Sequence, residues 1–389
     1  MKIVYIINQL RKSGPVNVLY NIIANIDRAK FTPIIIKLMQ DDVDRSLTYK
    51  FKELGVEIIE MNLSFWALEL RTKRIAKNID NLLSYRCVDI VNTHGYHPLL
   101  ISSYLKYKVC RIDTLHCMSI DSFRNSRGWL IGTYMHFRYM LSLNKIDMRV
   151  GISSAVTHYY DTILKNKKSI TIYNGINMSK FGNHTAHTKV KLKEKLGLSK
   201  YSVIFVVVGH LSRLKDPITV INAYKRLIDS QELSNSCLLF CGTGVLEARC
   251  KKLAKGYPMI KFLGYIDNVH EYLQIANYSI CASHSEGFGL NFIESLASGC
   301  AVISTRIPAF NEFVAYYPEL ENLQFTPSNA IELANVIRFT TTTQIDVDTI
   351  RRDVEQRFSS RTMSNNYVQL FCQITKLYES SNNNTSASL

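Results

Sequence analysis

Glu286 and Glu294 stand eight residues apart around the turn Gly287-Phe288-Gly289, within the stretch SICASHSEGFGLNFIESLASGCAVIST from Ser279 to Thr305. Two carboxylates at this spacing divide the space around a ligand. Glu286 lies in the turn, and Glu294 lies more than a turn into a helix that begins near Leu290. A helix start offers unpaired N–H groups and a partial positive charge, while glycines let a phosphate approach the backbone closely. Such a turn suits a diphosphate, and an acid on the following helix can accept both hydroxyls of a ribose, a role that falls to Glu294. The alternative for the same spacing is a loop acid followed by a solvated helix acid.

The elements that must hold these acids can be read on either side. Ile280 to Ala282 is a short apolar strand, and Leu290, Ile293, Leu296 and Ala297 recur at helical spacing before Gly299 ends the helix. Val302 and Ile303 resume a buried strand. The unit is strand, turn, helix, strand, which places both acids at the carboxyl end of a parallel sheet, where α/β crevices form.

The segment SEGFGLNFIESLASG, followed after Cys300 by AVIST, resembles the E-x7-E segment of retaining glycosyltransferases of family 4, which have the GT-B fold. The resemblance implies that Glu286 is a catalytic acid beside the donor sugar. It also implies that Gly287, Phe288, Gly289 and Leu290 hold the sugar and its phosphate, and that Glu294 binds the ribose. Other segments extend it. In YSVIFVVVGHLSRLKDP the family's G-R-L-x-x-x-K pattern aligns Lys215 with the lysine that grips the donor diphosphate; His210 stands at the usual arginine, and Arg213 is its candidate substitute. Tyr265 and Ile266, after the strand IKFLGYI, would line the nucleotide base, and Gly242-Thr243-Gly244 resembles a phosphate-side turn. In the first half, His116 ends a T-x-H strand and resembles the family's active-site histidine, and His94 should emerge at a neighbouring strand end. Gly14 resembles the glycine of the loop after the first strand, which closes on donor and acceptor, with Ser13 in place of a second glycine. YNGIN resembles the segment before the interdomain linker, with Asn177 where aspartate is usual.

At 389 residues and 47% hydrophobic composition the chain has enough material for two α/β domains. We expect two Rossmann-like domains with a cleft between them. The acceptor-side domain would cover residues 1–182 and the nucleotide-sugar domain 183–360, with a helix over 361–379 crossing back to the first domain and a disordered tail over 380–389. Strands are expected at Lys2 to Ile7, Thr32 to Leu38, Val56 to Glu60 and Ile90 to Thr93, alternating with helices. No apolar run reaches the roughly 18 residues a membrane span requires, so the chain is expected in the cytoplasm. Nine scattered cysteines without a C-x-x-C pair read as buried thiols. Asp42-Val43-Asp44 matches a D-x-D metal motif but reads as a solvated loop, so neither metal nor cofactor is expected.

The net charge of +15 is uneven: residues 1–180 carry 26 Lys+Arg against 14 Asp+Glu, leaving little excess in the rest. No RGG repeat, zinc finger or RNA-binding aromatic motif accompanies it, so an anionic membrane or a diphosphate-bearing acceptor explains the charge better than nucleic acid does. The run SFRNSRGWLIGTYMHFRYMLSLNK, from Ser122 to Lys145, mixes arginines with aromatics as a lipid-facing segment would; an ordinary packed amphipathic helix is the alternative. Taken with the resemblance, these features imply a hexosyltransferase of surface-polysaccharide synthesis, making O-antigen or capsule. It would take a nucleotide-sugar donor, UDP-linked by expectation, and a glycan or polyprenyl-diphosphate-linked acceptor, at the inner face of the cell membrane. Two other classes remain: a GT-B sugar-nucleotide epimerase, which needs no acceptor, and a nucleic-acid-binding protein.

Overall fold

The computed structural model describes residues 1–165, 169–181, 186–343 and 345–386. The chain forms two units, Met1–Gly175 with Ser360–Leu389, and Ile176–Ser359. The first division falls at Gly175 rather than near residue 182, which itself lies outside the described residues, as do 387–389 of the expected tail. The second division coincides with the start of the last helix, Ser360–Ser386, which belongs to the first unit and continues beyond residue 380.

The first unit is built on β1 (Lys2–Ile7), β2 (Thr32–Lys37), β3 (Glu57–Glu60), β4 (Ile90–His94), β5 (Cys110–Leu115), β6 (Met148–Gly151) and β7 (Ser169–Thr171). They form one parallel sheet in the order β3-β2-β1-β4-β5-β6-β7. Five of the six residues of β1 are buried, the near-continuous apolar run expected of a strand covered on both faces. The helix Gly14–Asn25 turns Val16, Leu19, Ile22 and Ile23 to the sheet. The last helix supplies Met363, Tyr367, Leu370, Phe371 and Ile374 to the same core, at the three- and four-residue intervals of one helical face. Its Ser364 hydroxyl donates to the Ile22 carbonyl at 3.0 Å, so this helix closes the core of the first unit although it follows the second in sequence.

In the second unit β8 (Val203–Val208), β9 (Ser236–Cys241), β10 (Ile260–Gly264), β11 (Tyr278–Cys281), β12 (Ala301–Thr305) and β13 (Gln324–Phe325) form a parallel sheet in the order β10-β9-β8-β11-β12-β13. Strand order reverses between β1 and β4 in one sheet and between β8 and β11 in the other. These are the switch points where doubly wound folds open a crevice at the carboxyl ends of their strands.

At that edge of the second sheet, the Gly242-Thr243-Gly244 turn serves the fold. The Gly209 N–H donates to Cys241 O at 3.0 Å and the Leu211 N–H to Thr243 O at 2.9 Å, pinning the loop after β8 to the end of β9. A Cβ on Gly242 would stand 1.9 Å from the Gly209 carbonyl oxygen, and one on Gly244 2.3 Å from that of Leu211. Both glycines are explained by close backbone approach, which is a different reason from the phosphate contact their sequence suggests. Gly242 also sits at φ +154. Gly242→Ala should therefore destabilise the protein by about 2 kcal/mol or more, read as a lower denaturant midpoint, because backbone has to move to relieve the clash. An unchanged midpoint would show that the loop gives way freely.

Candidate functional site

The site of the second unit forms at the carboxyl ends of β8 and β11. Each strand is followed by a loop carrying a charged group, and because the strands are neighbours the loops meet. Lys215, after β8, makes a short ion pair with Glu286, after β11, and the Ser283 hydroxyl donates to the same carboxylate oxygen at 2.7 Å. Burial pulls the Lys215 ammonium toward its neutral form, but the adjacent Glu286 charge outweighs this and the pKa rises, so the lysine stays charged. The chain path is held from below. The Thr305 hydroxyl donates to Ser283 O at 2.6 Å, the His284 N–H to Leu214 O at 2.8 Å, and the Asn291 amide to Val208 O at 3.2 Å.

The turn then delivers the helix Leu290–Ala297. Gly289, at φ +91, caps its start, and a Cβ there would fall 2.6 Å from the Phe310 ring. Phe288 is turned away from the crevice and is 2% exposed among Phe313 and Phe358. Of the predicted turn residues it can thus offer a ligand only its main chain. Glu294, one turn further on, is half-buried, and no side-chain hydrogen bond to its carboxylate is formed among the described residues. Burial pushes its pKa up to about 7, against the smaller opposing pull of Lys180 and Lys215. A carboxylate shielded from water, flanked by two lysines and lacking a donor, is ready to accept hydroxyls.

The remaining predicted residues of this unit take other places. Arg213 and His210 are both exposed on the loop after β8, and Arg213 ion-pairs with no acid among the described residues. Gly209 sits at φ +138, a backbone conformation that favours glycine, and a Cβ there would make only ordinary contact with Lys215 Cε at 3.7 Å. Tyr265 is exposed and Ile266 half-buried just beyond β10, at the same edge of the sheet as the acids. Sequence reasoning missed Ser283 and Lys180. Ser283 carries a usable signal, a hydroxyl three residues before the turn acid, whereas Lys180 has none because it reaches Glu294 from over a hundred residues away.

In the first unit Gly14 opens the helix Gly14–Asn25, followed directly by Pro15, whose missing N–H costs nothing at a helix start. His94 and His116 do emerge at adjacent strand ends, with His94 Nδ1 2.8 Å from His116 Nε2. Burial lowers the pKa of His116 to about 4 and, with the neighbouring imidazole adding to it, that of His94 further below the usual value. Both are neutral near pH 7, so one donates and the other accepts. His94 is enclosed while His116 is partly exposed at its strand end. Beneath them Asp113, fully buried on β5, accepts from the Thr93 and Tyr139 hydroxyls, and burial pushes its pKa up to about 7.

The raised Glu294 pKa has a consequence for stability. Between the ordinary carboxylate value near 4.5 and the folded value near 7, the folded state holds more protons than the unfolded one, so stability falls as pH rises through this window. Glu294→Gln should make that fall shallower in the unliganded protein, leaving the part that the buried Asp113 contributes over the same window, measured by denaturant titration at several pH values. A variant with the same pH dependence would show that Glu294 is not the group responsible.

Residues 188–353 match the sequence model of the family described as glycosyl transferases group 1. Along nearly its whole length the chain is similar to the O-antigen biosynthesis glycosyltransferase WclY of Escherichia coli, at 23% identity over 386 residues, covering 95% of this chain and 98% of that one. It is also similar to the Escherichia coli UDP-Gal:alpha-D-GlcNAc-diphosphoundecaprenol alpha-1,3-galactosyltransferase, at 25% over 261 residues, 62% of this chain and 65% of the relative. Among solved structures, the Anabaena protein HepE in complex with UDP superposes with a TM-score of 0.78 at 15% identity, covering 96% of this chain and 100% of the other. The chain therefore has the GT-B fold, and its residues 188–353 match the glycosyl transferases group 1 pattern.

Proposed function

We propose that the protein is a retaining hexosyltransferase of family 4 that moves a sugar from a UDP-sugar to a glycan or lipid-linked oligosaccharide in surface-polysaccharide synthesis. The observation that carries this reading is the arrangement at the switch point of the second sheet: a charged lysine held on one carboxylate, with a second, unbonded carboxylate one helical turn away. A diphosphate leaving group needs positive charge as it departs. Lys215 can supply it together with the main-chain N–H groups at the start of the Leu290–Ala297 helix, and these act without a metal ion. On arrival of the diphosphate, Lys215 would share its charge between phosphate and Glu286, leaving Glu286 beside the donor sugar. Glu294 would accept the ribose hydroxyls. Two comparisons support the donor class: HepE was crystallised with UDP, and the galactosyltransferase relative is named for a UDP-sugar.

The acceptor side of the proposal rests on the first unit. The helix Trp129–Leu143 exposes Leu130, Tyr134, Phe137 and Leu141 by 74%, 59%, 61% and 51%, four residues on one face of the helix that nothing among the described residues covers. Arg124 stacks over Trp129 and Arg127 over Phe65, setting cations at the border of the apolar stripe. At fifteen residues this helix is too short to cross a bilayer, and no described helix is long and apolar enough to do so. An apolar face with a basic border is the pattern of a helix lying in the membrane surface, where a lipid-linked acceptor would be met.

Product analysis, variant kinetics with UDP binding, and vesicle sedimentation test the proposal. Incubation with UDP-sugars and a lipid-diphosphate-linked acceptor, in chelator, should give a product whose anomeric configuration, read by NMR, is that of the donor. Glu286→Gln should lower turnover while sparing UDP affinity, and Glu294→Ala should weaken UDP binding by roughly 1–3 kcal/mol, the scale of lost charged hydrogen bonds. Conversion of a UDP-sugar alone would instead identify an epimerase. For the membrane, sedimentation with phosphatidylglycerol vesicles should show binding that weakens with salt but keeps a resistant part. Leu130→Ser with Phe137→Ser should abolish that resistant part, and equal binding to neutral and anionic vesicles would contradict the reading.

A further inference from the structure

Beside the apolar stripe lies a second feature that the donor chemistry leaves unused. A cavity of about 380 Å³ opens between the start of the Thr72–Arg86 helix and the Trp129–Leu143 helix, lined by Arg71, Lys73, Arg74 and Arg138 over the face of Tyr104. Its one acid, Glu69, is already engaged by Arg138 and by His97 at 3.0 Å. Arg71, Lys73 and Arg74 are exposed and make no ion pair among the described residues. Lys73 and Lys145 both stand over the Tyr104 ring, at 5.6 and 4.9 Å.

This charge is placed against the local preference. The first turn of the Thr72–Arg86 helix has no acidic residue and holds cations where the helix dipole favours anions. Cations crowded there, without acid partners, repel one another until an anion arrives. The wall of the cavity is also apolar: Leu70 lines it and is 78% exposed, and Arg138 belongs to the helix that carries the uncovered stripe, stacked over Tyr134 at 5.6 Å. The anion best matched is one whose other end is greasy.

We propose that this cavity binds the diphosphate of a lipid-linked acceptor, with Arg71, Lys73, Arg74 and Arg138 around the phosphates and the lipid chain leaving past Leu70 into the membrane. Naming the ligand an acceptor rests on the glycosyltransferase reading; the binding itself does not. Four cations around one diphosphate, three of them planar guanidinium forks, make charge-assisted contacts that a single phosphodiester headgroup cannot satisfy equally.

The test is co-sedimentation of the full chain with phosphatidylcholine vesicles containing polyprenyl diphosphate, set against phosphatidylglycerol vesicles of equal surface charge and against inorganic diphosphate in solution. The protein should prefer the polyprenyl diphosphate vesicles on the order of tenfold, the scale of one or two added cation contacts. The triple variant Arg71→Gln, Lys73→Gln, Arg74→Gln should lose that preference and keep most of its phosphatidylglycerol binding. A control with the same charge change, Arg28→Gln, Lys30→Gln, Lys52→Gln, removes exposed cations at the amino end of the same sheet and should keep the preference. The proposal falls if there is no preference, if it survives in the first triple variant, or if it is lost equally in the control. Equal affinity for inorganic diphosphate would overturn the lipid part and leave a soluble-anion site. Because the readout is binding, absence of sugar transfer by a protein that passes this test would overturn the transferase reading alone.

Discussion

Everything at the donor-side edge depends on keeping one lysine charged in a place that disfavours charge. Lys215 is partly withdrawn from water, and chiefly the carboxylate of Glu286 makes that tolerable. The pair in turn requires β8 and β11 to be neighbours although β9 and β10 separate them in sequence, which is what the switch in strand order provides. The loop bearing Lys215 is pinned to β9 through the Gly209 and Leu211 N–H groups, and the loop bearing Glu286 to β12 through Thr305. The ion pair is thus the point at which four strands agree. Such a pair contributes little net stability, since desolvation offsets its attraction. On the proposed reading, the pair keeps a cation in place for a phosphate.

The same logic separates the two glutamates. Glu286 has a lysine and a serine as donors, whereas Glu294 has neither and is held half-buried on a helix. One environment orients a carboxylate between two donors; the other leaves it short of hydrogen bonds until a ligand supplies them. Two acids of identical chemistry acquire different tasks from what surrounds them.

Much of this was legible in the sequence because it is local. The turn, the helix after it and the flanking strands lie within one continuous segment, and the strand boundaries of the first unit fall within a residue or two of the apolar runs that define them. Direction was less legible. Phe288 reads as a turn residue next to a ligand, yet its side chain fills an aromatic cluster with Phe313 and Phe358, partners that no short window contains. The glycines of 242–244 look like a phosphate turn because close approach to a phosphate and close approach to another backbone demand the same residue. His94 and His116 were separable from ordinary buried histidines only through their positions at neighbouring strand ends, and their 2.8 Å contact depends on β4 pairing with β5.

Hydrophobic periodicity also cannot say which of two apolar faces will be covered. The helix Gly14–Asn25 and the helix Trp129–Leu143 both carry an apolar face, but the first is closed over by the last helix of the chain and the second is not. Met135, Tyr139, Met140 and Leu143 already anchor the second helix to its own unit, so Leu130, Tyr134, Phe137 and Leu141 are surplus to the core. A helix that needed them only for folding would have polar residues there, since exposed aromatics favour association and add nothing to the unit's own stability. With arginines stacked at their edge and cations in the cavity alongside, they give the first unit a face that the proposed reading assigns to an anionic, partly apolar surface. The second unit carries the two acids and the lysine suited to a nucleotide diphosphate. On the proposed reading, the uneven charge of the chain follows from this division, because the excess of cations lies in the unit assigned to the lipid-linked acceptor.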